Sequence, residues 1–203
     1  MAQLSPNATP ARILLVRHGE TAWSAAGRHT GRTDVALTDE GRRQAEALTA
    51  VLRSWVPDGK VAVFSSPLQR STETCRLALR GAEPEIADGL VEWDYGSLEG
   101  LTTAEIRSAE PDWDLFTAGT PDGESIAQVV ARCNAFVAKV ERVAAGATVI
   151  AFTHGHVGRV LTALLIGWPT DTAAKLYNDT GSVGVVDLRR GEYVLAGWNL
   201  RGR

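Results

Sequence analysis

Three apolar runs in this sequence end on residues that can do chemistry. Ile13–Val16 runs into Arg17-His18-Gly19, Val61–Phe64 into Ser65-Ser66 with Arg70 four positions on, and Val149–Phe152 into Thr153-His154-Gly155-His156. Two guanidiniums and an imidazolium around one point would clamp an anion, because the planar fork of arginine matches phosphate oxygens bidentately. Gly19, with no Cβ, would let backbone N–H groups approach the same anion. A further histidine is then free for a different role, since neutral imidazole can attack phosphorus, giving a phosphohistidine that water later hydrolyses. A carboxylic acid from the irregular stretch after residue 91 would protonate the departing oxygen and then deprotonate the incoming water.

The spacing of apolar residues says how these groups would meet. Arg12–Val16 reads as a buried strand, and Thr38 caps a helix carrying Ala45, Leu48, Val51, Leu52 and Trp55 on one stripe. A second strand spans 61–66, and Ser66-Pro67 reads as a helix start, since proline at the first helical position loses no needed N–H. A short strand at Glu85–Leu90 precedes an irregular region at 92–124. The strongest helical stripe is Ile126, Val129, Val130, Cys133, Val137, Val140 and Ala144. A strand at 147–153, a helix near 157–166, and a hairpin of Val183–Leu188 with Tyr193–Trp198 complete the pattern. Alternating strands and helices predict an α/β fold, a three-layer α/β/α sandwich with a mostly parallel central sheet. Such sheets bind ligands outside the carboxyl ends of their strands, which is where the three polar endings fall.

Composition narrows the function. A chain of 203 residues suits one α/β domain, read as 12–203 behind a polar, flexible tail at 1–11. A net charge of −3 gives no global attraction to nucleic acid or anionic membrane, and no apolar run approaches the roughly 18–20 residues of a membrane span. Residues 1–11 make a poor signal peptide. Cys75 and Cys133 fall inside separate helical patterns and read as buried free thiols, which fits a cytoplasmic protein.

The stretches "LLVRHGET", "TGRTDVALTDEGRRQA", "SSPLQRSTETC", "LVEWDYGSLEG" and "FTHGH" resemble, in order, the histidine phosphatase superfamily, also called phosphoglycerate mutase-like. The resemblance covers roughly residues 12 to 168. It implies the phosphoglycerate mutase-like fold, with His18 as the phosphorylated nucleophile, Arg17, Arg70 and His154 as the phosphate pocket, and Glu92 as the proton donor. Glu20, Asp94 and Glu99 are its rivals in sequence. Ser24, Thr30 and Gly31 would touch substrate, and Tyr95, Gly155 and His156 are further candidates for the pocket. Positioning and electrostatic stabilisation suffice for phosphoryl transfer, so neither a metal nor another cofactor is expected.

Three functions compete. A mutase needs cations for the second charged end of its substrate, and the resemblance fails there. Thr103 stands where mutases carry a lysine, and residues 93–124 hold eight acidic residues against Arg107 alone. That local charge would repel a second anion unless the carboxylates face outward. The sequence looks more like the small acid phosphatases and the sugar-bisphosphatase branch, with Ser24 in place of the mutases' asparagine. A non-catalytic phospho-ligand binder is the third reading. The expected partner is a small phosphorylated metabolite such as a phosphosugar, not nucleic acid or membrane, with a homodimer left open. Arg28, His29 and Arg32 read as an exposed basic loop or as contacts to a second charge.

Overall fold

The computed structural model describes residues 10–56, 59–143 and 145–202. The first apolar run forms β1 (Arg12–Arg17), with its four central residues buried. A one-turn helix α1 (Ala22–Ala25) precedes α2 (Asp39–Trp55), whose N-cap Thr38 accepts the N–H of Gly41 at 3.0 Å. β2 (Val61–Ser65) leads to α3 (Gln69–Ala78) and the two-residue β3 (Glu85–Ile86). The next segment carries 3-10 turns and two short helices, α4 (Thr103–Ala109) and α5 (Leu115–Ala118). α6 (Ile126–Val140) starts at a capping box between Ser125 and Gln128. β4 (Thr148–Thr153), α7 (Gly155–Leu165), β5 (Ser182–Arg189) and β6 (Glu192–Arg201) follow.

Among the described residues one six-stranded sheet runs β3-β2-β4-β1-β5-β6. The first four strands are mutually parallel, and β5 and β6 add an antiparallel edge. Strand periodicity divides the core between two faces. Ile13, Leu15, Val149 and Ala151 pack with α6 and α7, whereas Leu14, Val16, Ile150 and Phe152 pack with α2 and α3. Both faces of β1 and β4 are therefore covered, which explains their unbroken apolar runs. The result is the three-layer sandwich that the sequence predicts. No helix among the described residues is long and apolar enough to cross a membrane.

Several boundaries differ from the sequence reading. The expected strand at 85–90 stops at Ile86 and turns into a 3-10 turn at Asp88–Leu90. Helix α3 begins at Gln69, because Leu68 is extended (ψ 135°), so Pro67 is not its first residue. Helix α7 starts at Gly155, two residues early, with no capping side chain at His154. Pro10 and Ala11 do not belong to a free tail: the Pro10 carbonyl accepts the Tyr193 hydroxyl, and the Ala11 N–H donates to Ala147. Residues 1–9 of that expected tail, and Ala144, lie outside the described residues.

One backbone contact fixes where β1 ends relative to α2. A Cβ on Gly19 would lie 2.2 Å from the Gly41 carbonyl oxygen, and one on Gly41 would lie 2.0 Å from that of Glu20. Two glycines thus let the chain after His18 press against the first turn of α2. The Gly41→Ala substitution should cost about 1–3 kcal/mol through overpacking against backbone that cannot retreat. Urea unfolding would show this as a lower midpoint with an unchanged slope.

Candidate active site

The parallel register of β1 and β4 sets Arg17 beside Thr153, and the His18 N–H donates to the Thr153 carbonyl at 3.1 Å. The Ser66 N–H continues the β2–β4 ladder to Phe152. Three strand ends thus meet, with the His18 and His154 rings 5.1 Å apart in a T-shaped contact. His18 Nδ1 lies 2.7 Å from the Gly19 carbonyl. A carbonyl only accepts, so Nδ1 carries the proton and Nε2 keeps a lone pair with no partner among the described residues. Burial, then the charges of Arg70 and Arg17, hold the His18 pKa well below the ordinary imidazole value. His18 is neutral and oriented, as a nucleophile requires.

Arg70 is fully buried. Its Nε donates to His154 Nδ1 at 3.2 Å, and its Nη atoms donate to the carbonyls of Thr33, Thr30 and Gly31. Four of its five N–H groups are spent, leaving one on Nη1. Because His154 Nδ1 accepts, its Nε2 must donate to the Ser66 hydroxyl at 2.8 Å. Arg17 is placed differently. Its Nη1 donates to the Asn178 carbonyl at 2.7 Å, and its Nε is the lone buried side-chain N or O without a partner among the described residues. An orphaned guanidinium N–H beside a neutral imidazole marks where an anion would sit.

Glu92 is buried and held by backbone amides: Oε1 accepts from Trp93 at 3.1 Å and Val157 at 3.0 Å, Oε2 from His156 at 3.0 Å. Two of these amides belong to the first turn of α7, so Glu92 itself caps that helix from across the site. This explains why α7 starts without a local capping residue. Arg132 on α6 holds the segment bearing Glu92, donating to the carbonyls of Gly89, Val91 and Glu92 and pairing with Glu124 at 2.7 Å. Glu124 in turn accepts the Asp94 N–H at 3.0 Å.

These groups border a cavity of about 80 Å³ lined by Arg17, His18, Glu92, Tyr95, Gly155 and His156, with Ser24 and Thr30 also on its wall. The Ser24 hydroxyl is committed to the capping box with Thr21. Gly31, Arg70 and His154 stand behind the wall. Gly31 cannot carry a Cβ, which would meet the Trp93 carbonyl at 2.5 Å, and Glu99 binds its N–H together with those of Arg32 and Thr33. Gly19 does not present an anion-binding amide, since its N–H donates to the Thr74 hydroxyl at 3.0 Å. Of the carboxylate rivals, Glu20 accepts from the Thr38 hydroxyl, Asp94 from the Gly96 N–H and Glu99 from the loop 31–33.

Of the basic loop, Arg28 and His29 border the cavity, with the Arg28 side chain 41% exposed, whereas Arg32, 50% exposed, turns away toward Asp94 and Glu124. Arg159 also borders it, and the signal for it was an arginine inside the apolar run of α7. Tyr95 and His156 share a 2.5 Å hydrogen bond. Trp93 is core, its Nε1 bonded to the Glu124 carbonyl, and Trp23 packs over Gly100.

With this geometry in view, comparison with known proteins defines the class. The sequence model of the histidine phosphatase superfamily (branch 1) matches residues 13–201, and the chain belongs to that superfamily. It is 42% identical to an acid phosphatase of Mycobacterium tuberculosis, over 94% of this chain and 93% of the relative. A sedoheptulose 1,7-bisphosphatase of Saccharomyces cerevisiae is 30% identical over 80% of this chain and 69% of its own. The solved structure of an open reading frame product of Mycobacterium tuberculosis superposes with a TM-score of 0.89 at 41% identity, covering 95% of this chain and 98% of that one. Relatives named as probable phosphoglycerate mutases match as well.

All four histidines of the chain lie at this site, and burial lowers the pKa of each. The unfolded chain protonates first as pH falls below about 6.5, so the unfolded state binds more protons there. Stability should be complete above that pH and decline as pH falls toward the lowered folded values. Thermal unfolding across this range would show it, and NMR should find the His18 ring still neutral where a free imidazole is half protonated.

Proposed function

We propose that the protein is a metal-independent phosphoric monoester hydrolase acting on small phosphorylated metabolites, with His18 as nucleophile and Glu92 as proton donor. The observation that carries this reading is the pairing of an unpartnered His18 Nε2 with the orphaned Nε of Arg17 on one cavity wall. The Nε2 lone pair attacks phosphorus, the ester P–O bond breaks, and the leaving oxygen takes a proton from Glu92. Water then attacks the phosphohistidine, Glu92 takes its proton, the P–N bond breaks, and neutral His18 returns. Arg17 binds the phosphoryl oxygens. Arg70, behind the wall, acts on His18 through its field, while His154, itself bonded to Ser66, holds its guanidinium in place.

The cavity is small, which supports metabolites over macromolecules as substrates. The acid phosphatase relative supports hydrolysis over isomerisation. Both cysteines are free and buried, which is in keeping with the proposed cytoplasmic setting.

His18→Ala should abolish release of phosphate from an aryl phosphate, while circular dichroism shows the fold retained. A variant with near-parental rate would overturn the mechanism. Glu92→Gln separates ester classes: an alkoxide leaves poorly without a proton, whereas nitrophenolate leaves readily. Phosphorylation by alkyl esters should fall about 10²–10⁴-fold, and the nitrophenol burst far less. Equal slowing of both would remove Glu92 as the acid. Incubation with 3-phosphoglycerate and a bisphosphoglycerate primer tests the mutase alternative, for which isomerisation without phosphate release is the signature.

A further inference from the structure

The Arg17 side chain hangs on one peptide group. Its Nη1 donates to the Asn178 carbonyl at 2.7 Å, and the N–H of that same peptide, on Asp179, donates to Asn199 Oδ1 at 2.8 Å. A trans peptide is planar, with its C=O and N–H pointing in opposite directions. A bond that fixes the N–H end therefore fixes the direction of the carbonyl at the other end. Bonds strung in one line also polarise one another. Asn199 grips the peptide's neighbourhood a second time, since its Nδ2 donates to Asp179 Oδ2 at 3.0 Å. The Tyr177 hydroxyl and Arg201 close round the same carboxylate at 3.0 and 3.4 Å. The Asn199 amide, more than either, holds the Asp179 carboxyl below its ordinary pKa.

The edge of the sheet is shaped to bring Asn199 there. β5 and β6 pair Val183 with Leu200 and Val185 with Gly197, so Trp198 and Asn199 face Gly184 alone. Two residues against one make a β-bulge, a device that re-aims side chains beside a site. Asn199 takes φ +54°, a left-handed backbone that asparagine adopts more readily than most residues. Gly184 makes room on the facing strand, for a Cβ there would lie 2.6 Å from the Trp198 ring. Trp198 Nε1 in turn donates to the Tyr177 carbonyl, one peptide before the one that carries Arg17. The same loop reaches the candidate nucleophile, because the Gly181 N–H donates to the His18 carbonyl at 2.9 Å.

We propose that Asn199 is a positioning residue for Arg17: through the Asn178–Asp179 peptide it sets the direction from which the guanidinium meets the transferred phosphate. This rests on the reading of Arg17 as the group that binds the phosphoryl oxygens. Asn199→Gly keeps the left-handed backbone at little cost and removes both side-chain bonds. Orthovanadate mimics the transition state, and its tighter binding keeps weakened variants measurable by calorimetry. Asn199→Gly should lower its affinity about 3- to 10-fold. In an Arg17→Met background the same substitution should change nothing, because no guanidinium is left to misplace. The exchange of Asp179→Asn with Asn199→Asp again sets an acceptor opposite an amide, and should return affinity to within about twofold of the parent protein. A loss of equal size with and without Arg17, or a lowered Tm with no loss of affinity, overturns the proposal and leaves Asn199 a structural role only. Should Asn199→Gly fail to fold, the exchange decides, and a loss of about tenfold there overturns the proposal. Arg17→Met that binds orthovanadate as the parent does would overturn the phosphate role of Arg17, and the proposal with it. A loss on Arg17→Met with none on Asn199→Gly overturns the proposal alone.

Discussion

Positive charge gathered in a dry place, with one carboxylate to answer it, governs this structure. Arg17, Arg70 and Arg159 surround Glu92, and desolvation lowers the pKa of all three guanidiniums while Glu92 opposes the shift. Every neighbouring choice follows from keeping such charges in place. Arg70 is wrapped in backbone carbonyls and an imidazole nitrogen, which solvate it as water would. Burial, and after it the charge of the neighbouring guanidiniums, disfavours the protonated form of the histidines nearby. In the proposed mechanism that neutrality is what frees His18 to attack, so the cost of burying charge and the proposed chemistry have a single origin.

The strand ends were legible in the sequence because burial and chemistry leave opposite marks on neighbouring residues. An apolar run covered on both faces stops abruptly at Arg17-His18 or Thr153-His154, and parallel pairing brings such stops together. The helix starts were less legible wherever the cap comes from afar. Ser125 and Gln128 announce α6 locally, but α7 is capped by Glu92, some sixty positions earlier in the chain, and no local pattern encodes that. Gly19 was misread for a similar reason: its missing Cβ answers to Gly41 on α2 and not to a ligand.

Charge counted along the chain left the electrostatics of the site open, since it turned on whether the carboxylates face outward. Residues 93–124 are strongly acidic, yet their carboxylates cap helices, bind loop amides or face water, and the cavity wall beside them is cationic. Arg132 illustrates the same principle with the opposite sign. Nothing in the apolar stripe of its helix singles it out, yet it grips three carbonyls around Glu92 and pairs with Glu124. Orientation, which linear composition does not carry, decides the electrostatics of the site.

Glu99 binds three successive amides of the loop 31–33, and the neighbouring backbone of His29 pairs with Gly100 and Leu101. These bonds stitch together two lips of the cleft that are far apart in sequence. Stitched segments open as one cooperative unit, so the carbonyl cradle of Arg70 and the Tyr95–His156 wall cannot loosen independently. Widening the cleft at this seam would break these bonds together.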